Sequence, residues 1–246
     1  MKKTELNQKM KGLFFWQGWH PEVALRYLPV VDEIKKIKTS PTIMDIGSGG
    51  LGIAPYYGKK VTGVDIRFRP PYHPKLERIR ASALKLPFAD KVYDVVTAVD
   101  AFEHLEPGDR AKAIKEMLRT AKKMVVIAVP CGESAHIQDK KLSSLYRRKY
   151  GKKYHFFEEQ IRYGLPEEKD FKDVINDAAD QLKLKISMKI LDNENLKLRE
   201  FLMKGWMSKN ILLEIIFRKI LLFAIPVFKL MNHPPVYRKI FVVNIK

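Results

Sequence analysis

Residues 42–52 (TIMDIGSGGLG) combine a short apolar run with four glycines inside six positions. An apolar run that ends at glycine is typical of a central strand in a parallel sheet, which predicts a strand over residues 42–46. Gly47, Gly49, Gly50 and Gly52 permit positive φ and let the backbone approach a ligand closely. The N–H groups of such a turn, with the start of the next helix, form a concave polar surface. The segment therefore predicts a ligand-binding turn.

A second short apolar run, residues 61–66, ends beside Asp65. In a doubly wound α/β sheet this strand end lies next to the glycine turn, in the crevice where ligands bind. A carboxylate there can accept two hydrogen bonds from a ribose diol, and each charge-assisted bond contributes roughly 1.5–3 kcal/mol. Dinucleotides and S-adenosylmethionine both contain that ribose, so the two motifs together do not choose between them.

Residues 81–105 (ASALKLPFADKVYDVVTAVDAFEHL) separate these alternatives. They contain a small-residue step before LPF at 86–88, a YDVV strand at 93–96 and a D-x-x-EH sequence at 100–104. Together with the acidic-x-Gly-x-Gly turn and Asp65, this order resembles the class I S-adenosylmethionine-dependent methyltransferases, especially the broad group that includes the quinone-biosynthesis methyltransferases. The resemblance covers roughly residues 40 to 131, and the ordered combination is much more specific than any single motif.

The resemblance implies an α/β fold with a doubly wound, mostly parallel, seven-stranded Rossmann-like sheet and helical insertions. It also implies S-adenosylmethionine as the cofactor. The implied cofactor-binding residues are Asp45, Gly47, Ser48, Gly49, Asp65, Ile66, Ser82, Ala83 and Asp100. Two positions depart from the family pattern, because Leu51 replaces a third glycine and Ser82 replaces an adenine-contacting Asp.

His104 and Asp100 are the candidate catalytic residues. Methyl transfer to oxygen or nitrogen is an in-line displacement at an activated sulfonium, so the protein mainly aligns the acceptor and excludes water. A base helps if the acceptor is a hydroxyl, and His104 follows the fourth predicted strand at the mouth of the cofactor crevice. The alternative is that His104 only braces its helix. Asp100 is expected to approach the methionine end of the cofactor or to orient the acceptor.

The chain is long enough, at 246 residues with 46% hydrophobic residues, for one large domain with a substantial core. Cys131 is its single cysteine, which excludes an intramolecular disulfide and a cysteine metal cluster and fits a reducing compartment. We predict no metal site and a buried, unreactive Cys131. The first 20 residues lack the apolar core and cleavage site of a signal peptide, so we expect a cytoplasmic protein.

The motif order predicts one methyltransferase domain over residues 1–246. Its expected parts are an N-terminal helical cap (1–40), the cofactor-binding core (41–142), a lid insertion (143–182) and the last two strands (183–246), which carry an apolar and basic helical insertion (193–236).

The cap contains an aromatic cluster ahead of a predicted helix, which we expect to pack on the sheet. The cluster consists of Phe14, Phe15, Trp16 and Trp19. Three prolines within residues 67–74 forbid a regular helix in the crossover that follows the second strand.

The formal net charge is +18, and residues 141–246 contribute +10 of it, from 22 basic and 12 acidic residues. Such an excess suits nucleic acid, an anionic membrane, an acidic substrate or only a lysine-rich solvated surface. Residues 147–153 (RRKYGKK) interleave basic and aromatic side chains, which suits either a substrate lid or a groove for single-stranded RNA.

Residues 211–231 are very apolar but are interrupted by Glu214, Arg218, Lys219 and Lys229. A membrane-spanning helix needs about 20 apolar residues, so this segment does not span a bilayer. It predicts a helix, broken at Pro226, that is either buried against the core or placed in a membrane interface.

The sequence predicts an S-adenosylmethionine-dependent methyltransferase whose acceptor is a small molecule, a lipid-linked molecule or a glycan, with O-methylation as the expected reaction. Three alternatives stay open: an RNA methyltransferase, a nicotinamide dehydrogenase because residues 47–52 satisfy GxGxxG, and an inactive cofactor-binding interaction protein. The expected partners are the acceptor and, through residues 211–231, the anionic inner face of a membrane.

Overall fold

The structure is a computed structural model that describes residues 19–246. Of the predicted aromatic cluster, Phe14, Phe15 and Trp16 lie outside the described residues. Trp19 packs against Tyr56, with ring centroids 4.7 Å apart. The first described helix, α1, spans Pro21–Ile34 and starts with proline at a first-turn position, where its missing N–H costs nothing. Its apolar face is buried against the sheet, as predicted.

Seven strands form one sheet in the order β3-β2-β1-β4-β5-β7-β6. Strands β1 to β5 pair in parallel, whereas β7 lies antiparallel between β5 and β6. The predicted doubly wound, mostly parallel, seven-stranded sheet is therefore confirmed. The strands are β1 Ile43–Ile46, β2 Val61–Asp65, β3 Leu76–Arg80, β4 Tyr93–Val99, β5 Ala121–Pro130, β6 Ile186–Asn195 and β7 Val236–Ile245.

Helices cover both faces of the sheet, so its central strands are apolar on both sides. The described helices after α1 are α2 Ala54–Tyr57, α3 Pro107–Thr120, α4 Glu133–Tyr150, α5 His155–Tyr163, α6 Glu168–Gln181, α7 Leu196–Trp206, α8 Ile211–Arg218 and α9 Ile225–Phe228, with 3-10 turns at Phe102–His104, Ile220–Ala224 and Lys229–Met231. Helices α1, α2 and α7 pack on one face of the sheet, and α3 and α6 pack on the other.

The crossover from β2 to β3 contains no helix, as the three prolines predict. This loop instead folds back onto the glycine turn, where His73 donates a backbone hydrogen bond of 2.9 Å to the carbonyl of Gly50. A Cβ atom at Gly50 would lie 2.2 Å from the carbonyl oxygen of Pro71. Gly50 is therefore required by the packing of the crossover loop and not by ligand approach.

Two predicted segment boundaries differ from the structure. Helix α6, which was expected to belong to the lid at 143–182, buries Phe171 and Ile175 against the sheet and is part of the core. Strand β6 extends to Asn195, so the insertion predicted at 193–236 covers residues 196–235. The helix break predicted at Pro226 also lies elsewhere, because helix α8 already ends at Arg218. Pro226 instead occupies the first turn of α9, where proline is tolerated.

Candidate active site

An open cleft of about 2030 Å³ lies at the carboxyl ends of β1, β2 and β4. The glycine turn after β1 forms part of its wall, and a backbone bond of 2.8 Å from Gly47 to the carbonyl of Val64 holds that turn in place. Gly47 and Gly49 have φ of +69° and +54°, the left-handed region that glycine tolerates. A Cβ at Gly49 would meet no atom within 4 Å, so open space lies beside the backbone there.

Asp45 is buried behind the glycine turn and does not line the cleft. It is 1% exposed, and its two carboxylate oxygens accept bonds from the Ile53 N–H at 2.8 Å and the Thr97 hydroxyl at 2.9 Å. Burial raises the pKa of Asp45 to about 6, although these two bonds oppose the shift. The prediction of Asp45 as a direct cofactor contact is therefore corrected to a role in fixing the glycine turn. Gly52 permits that role, because a Cβ there would lie 2.3 Å from the Asp45 Oδ2.

Asp65 stands at the end of β2 with its carboxylate in the cleft wall. One oxygen accepts a bond of 2.8 Å from the Gly49 N–H, and the other accepts a bond of 2.9 Å from the Arg67 N–H. Both oxygens keep free lone pairs for a diol, because a carboxylate has about four acceptor positions. Next to it Ile66 is 67% exposed along the cleft and offers an apolar surface for a planar ring.

Ser48, Ser82 and Ala83 also line the cleft, as predicted. The Ser82 hydroxyl accepts a bond of 3.2 Å from the Leu84 N–H, which holds the small-residue step in a tight turn. Leu51, which replaces the third family glycine, lines the cleft as well. The structure thus brings together all the predicted cofactor residues except Asp45.

Asp100 occupies a strained position at the end of β4, with φ of +49°. Its carboxylate forms a two-bond ion pair with Arg238, with distances of 2.5 Å (Nε–Oδ1) and 2.7 Å (Nη2–Oδ2). The Nε of Arg26 lies 3.1 Å from the same carboxylate. Burial raises the pKa of Asp100, but the two guanidinium groups outweigh it and hold the pKa below its usual value. Asp100, predicted as a candidate catalytic residue that approaches the cofactor or orients the acceptor, therefore lines the cleft with its carboxylate already paired, and a carboxylate so paired is a weak base.

Arg238 is the centre of this buried network, with no exposed surface. Its second side contacts Asn193 at 2.8 Å and Glu194 at 3.2 Å, both on β6. The sequence motifs did not identify Arg238 or Arg26. A signal was present for Arg238, because alternation along β7 places it on the same face as the buried Ile240 and Val242.

Glu103 is the most unusual side chain in the cleft. It is 0% exposed, and no other residue of the described chain hydrogen-bonds to either carboxyl oxygen. Burial raises the pKa of Glu103 well above its usual range, and the negative charge of Asp100 adds to this. This shift favours the protonated carboxylic acid, which can donate one hydrogen bond and accept others. The turn that carries it is held by Arg110, whose Nε donates to the Phe102 carbonyl at 3.2 Å.

His104 lines the cleft and joins the turn after β4 to helix α5. Its Nδ1 lies 2.9 Å from Glu159 Oε2, and its ring packs on Phe156 with centroids 5.1 Å apart. Burial lowers the pKa of His104, although Glu159 opposes the shift. A pKa below the ordinary value makes the imidazole mostly neutral at pH 7. Its Nε2 lies 3.9 Å from Glu103 Oε1.

Beyond His104 the cleft continues between α1, α5, α7 and α8, away from the glycine turn. Its walls there are aromatic and cationic, formed among others by Trp19, Tyr154, Phe156, Trp206, Arg218 and Lys219. Tyr154 and Trp206 pack together at 5.3 Å, which fixes α5 against α7. The cleft thus has one half beside the glycine turn and a second half beneath the lid helices.

Cys131 lies close to the carboxyl end of β5 and is buried. Burial raises the pKa of the Cys131 thiol to about 12, so almost no thiolate exists at pH 7. This agrees with the prediction of an unreactive small side chain.

Comparisons with known proteins agree with this geometry. A family model described as a methyltransferase domain matches residues 44–129. No curated protein matches the sequence significantly. The structure of the plantazolicin methyltransferase BpumL in complex with S-adenosylhomocysteine is similar with a TM-score of 0.55, at 14% identity, and the match covers 99% of this chain and 90% of that one. An S-adenosylmethionine-dependent methyltransferase of Thermotoga maritima has a TM-score of 0.51 at 13% identity, and the match covers 99% and 96% of the two chains.

At such identities the two structures establish similarity of fold alone. The matched segment spans β1 to β5, and within it lie the glycine turn, Asp65 and the residues from Ser82 to His104. Residues 44–129 therefore match a methyltransferase domain, and the sheet that contains them has the fold of the S-adenosylmethionine-dependent methyltransferases named above.

Proposed function

We propose that the protein transfers the methyl group of S-adenosylmethionine to a small-molecule, lipid-linked or glycan acceptor. The observation that carries this proposal is the continuity of the cleft from the glycine turn to the lid helices. The first half fits the cofactor, because Asp65 offers a carboxylate to the ribose and open space lies beside Gly49. When bound there, the cofactor supplies a methyl group already activated on a sulfonium.

The second half of the cleft is suited to an acceptor with both polar and flat apolar parts. The buried side chains of Glu103 and Gln160 line it with oxygen atoms that make no hydrogen bond to another described residue. Buried polar atoms normally have partners, so an acceptor that supplies them is favoured. A volume of about 2030 Å³ exceeds the range of roughly 300–1,000 Å³ usual for one small ligand, which leaves room for an acceptor beside the cofactor.

We propose a hydroxyl acceptor and hence O-methylation, with His104 as the base. In this step the acceptor oxygen forms a bond to the methyl carbon while the carbon–sulfur bond breaks and its electron pair stays on sulfur. The hydroxyl proton moves to His104 Nε2. Glu159 stabilises the resulting imidazolium because its carboxylate lies 2.9 Å from Nδ1. Trp19, Phe156 and the rest of the aromatic wall offer apolar surface against which the acceptor can be aligned.

RNA as the acceptor has less support than the sequence suggested. Residues 147–153 do not line the cleft. Tyr150, the aromatic residue of that stretch, packs on Tyr146 at 4.6 Å and donates a hydrogen bond of 2.8 Å to the Met207 carbonyl. Its ring is thus engaged in holding α4 against α7, so it is poorly placed to stack on a base. Among the three acceptor classes, the lipid-linked one is favoured by the exposed apolar side chains of α8, of which Ile215 lines the cleft.

Two measurements test the proposed function. Titration calorimetry should detect binding of S-adenosylmethionine and S-adenosylhomocysteine but not of NAD, which would remove the dehydrogenase alternative. Cell extract incubated with the protein and an isotopically labelled methyl donor should then show label by mass spectrometry in the lipid or small-molecule fraction. Cofactor binding without label in any fraction would instead support an inactive binding protein. Label confined to RNA would overturn the proposed acceptor class.

A further inference from the structure

Exposed apolar side chains are concentrated in one segment of the described chain. Of its fourteen large hydrophobic side chains that are exposed, eight lie within residues 212–230. Phe223 and Leu230 are 89% and 80% exposed. Large contiguous apolar patches are rare on soluble monomers and mark surfaces that bind a partner or a membrane. The eight residues, called the apolar surface below, are Leu212, Leu213, Ile215, Ile216, Ile220, Phe223, Val227 and Leu230.

The segment is held firmly on its other side, so these residues belong to a folded platform. Ile225 is buried in the core, and Phe217, Leu221, Leu222, Phe228 and Met231 pack against it. Gly205 on α7 lets α8 come close, because a Cβ there would lie 1.8 Å from the Phe217 ring. Helix α8 is capped by Asn210, whose side chain accepts a bond of 2.9 Å from the Leu212 N–H. The segment therefore offers apolar side chains to the core and to solvent at the same time.

The surroundings of the apolar surface are cationic. Residues 196–235 contain seven Lys and Arg against two acidic residues, a formal charge of +5. Of the seven, Arg199 is buried in an ion pair with Asp139, and Lys204 and Lys229 form ion pairs with Glu200 and Asp32. Lys197, Lys204 and Lys209 are exposed, and Lys209 lies 5.3 Å from the ring centroid of Tyr150. Exposed lysines can bind the negatively charged head groups of an anionic lipid bilayer, and the apolar side chains beside them can insert toward its hydrocarbon region.

No helix of the described residues is long and apolar enough to cross a membrane. The segment's longest helix, α8, has eight residues, and the apolar positions continue through two short 3-10 turns and α9. Such a chain of short helices lies along an interface, with its exposed side chains reaching into the head-group region. We propose that the apolar surface docks the protein on an anionic membrane.

The apolar surface reaches the mouth of the cleft, because Ile215 belongs to both and the adjacent Arg218 and Lys219 line the cleft. Docking would place the second half of the cleft next to the lipid head groups, so a lipid-linked acceptor could enter without crossing water. This last step rests on the proposed methyl transfer, whereas docking itself does not. The two can therefore be tested apart.

The test uses the full chain, without cofactor, in co-sedimentation with vesicles of phosphatidylcholine alone or mixed with phosphatidylglycerol. We expect binding to the mixed vesicles and little to phosphatidylcholine. Raising the salt from 0.1 M to 1 M shortens the Debye length from about 10 Å to about 3 Å and should weaken capture but leave a salt-resistant part. The variant with both Phe223→Ser and Leu230→Ser should bind at least tenfold more weakly, while Ile137→Ser, an exposed apolar residue on α4, should bind as the unchanged protein does.

Measurements of melting temperature and cofactor affinity show whether a loss of vesicle binding comes from the altered surface or from unfolding. Neither Phe223 nor Leu230 lines the cleft, so the double variant should keep its melting temperature and its affinity for S-adenosylhomocysteine. No binding of the unchanged protein to anionic vesicles, or an equal loss in the Ile137→Ser control, overturns the proposal. A dimer that the double variant converts to monomer, without vesicle binding by either, assigns the apolar surface to a second copy and also overturns it. Vesicle binding without methyl transfer would retain the docking surface and reject the proposed function.

Discussion

Replacing Glu103 with methionine should stabilise the fold while damaging methyl transfer. The side chain is fully buried and has no hydrogen-bond partner in the rest of the described chain. An unsatisfied buried polar group typically costs about 1–3 kcal/mol, and methionine fills nearly the same unbranched volume without it. If the carboxyl serves the acceptor, Glu103→Met should retain cofactor affinity and lose at least about tenfold in turnover, since a hydrogen bond to the acceptor is missing.

The raised pKa of Glu103 determines how strongly the free energy of unfolding depends on pH. The charge of Asp100 adds to burial in raising the pKa of Glu103, while Arg238 and Arg26 oppose it and the neighbouring His104 is neutral. The folded protein therefore keeps a proton that the unfolded chain releases above the usual value of 4.5. Stability from this group is fully present below that pH and is lost as the pH rises toward the folded pKa, by about 1.4 kcal/mol per pH unit.

Chemical unfolding followed by circular dichroism at several pH values measures this effect directly. The stability difference between Glu103→Met and the unchanged protein should grow from pH 5 to pH 7, by at most about 1.4 kcal/mol per pH unit. Glu103→Gln is the matched control: it also removes the pH-dependent part, but it retains a buried polar group and should gain nothing at pH 5. A difference that does not change between pH 5 and pH 7 would show that Glu103 is ionised in the folded protein and would refute the reasoning.

Three further substitutions test the rest of the site. Asp65→Ala should weaken S-adenosylmethionine and S-adenosylhomocysteine alike by roughly 2–4 kcal/mol in titration calorimetry, because two bonds to a charged acceptor are lost; unchanged affinity would exclude the ribose role. If His104 is the base, His104→Ala should lower single-turnover rates by about 10²–10⁴ and leave cofactor affinity intact. If His104 only braces its turn, the variant should instead have a lower melting temperature and an unchanged rate per folded molecule. Arg238→Met should lower the free energy of unfolding in urea by about 3–5 kcal/mol, because it leaves Asp100 buried without its main partner. A decrease below about 1 kcal/mol would show that the network does not stabilise the fold.

The residues that the sequence predicts for cofactor binding lie mostly in one cleft, because the signals that identify them are local. The glycine turn, Asp65 and Ser82 each follow a strand, and parallel strands bring their carboxyl ends to one edge. Local signals also account for the helix-free crossover after β2. Strand β3 (LERIR) was not identified, because an edge strand with charged residues lacks the apolar run of a central strand.

The acceptor half could not be predicted, because its residues meet only through the tertiary fold. Arg26 comes from α1, Glu159 from the lid and Arg238 from the last strand, and no motif links them. Asp45 and Asp100 could be located near the cleft from the sequence, because each follows or ends a predicted strand. Their hydrogen-bond partners could not be predicted, and these show that both carboxylates already bind groups of the protein.

The ion pair of Asp100 with Arg238 also has a consequence for the order in which the protein is assembled. The two residues are 138 positions apart in the chain. At a synthesis rate of about 5–20 residues per second, Asp100 leaves the ribosome roughly 7–28 seconds before its partner. During that interval β1 to β5 can pair from local contacts, yet the strained backbone at Asp100 lacks the cation that holds it. Contacts of such long range form late, so we expect the nascent chain to gain the glycine-turn half of the cleft before it gains the half beneath the lid helices.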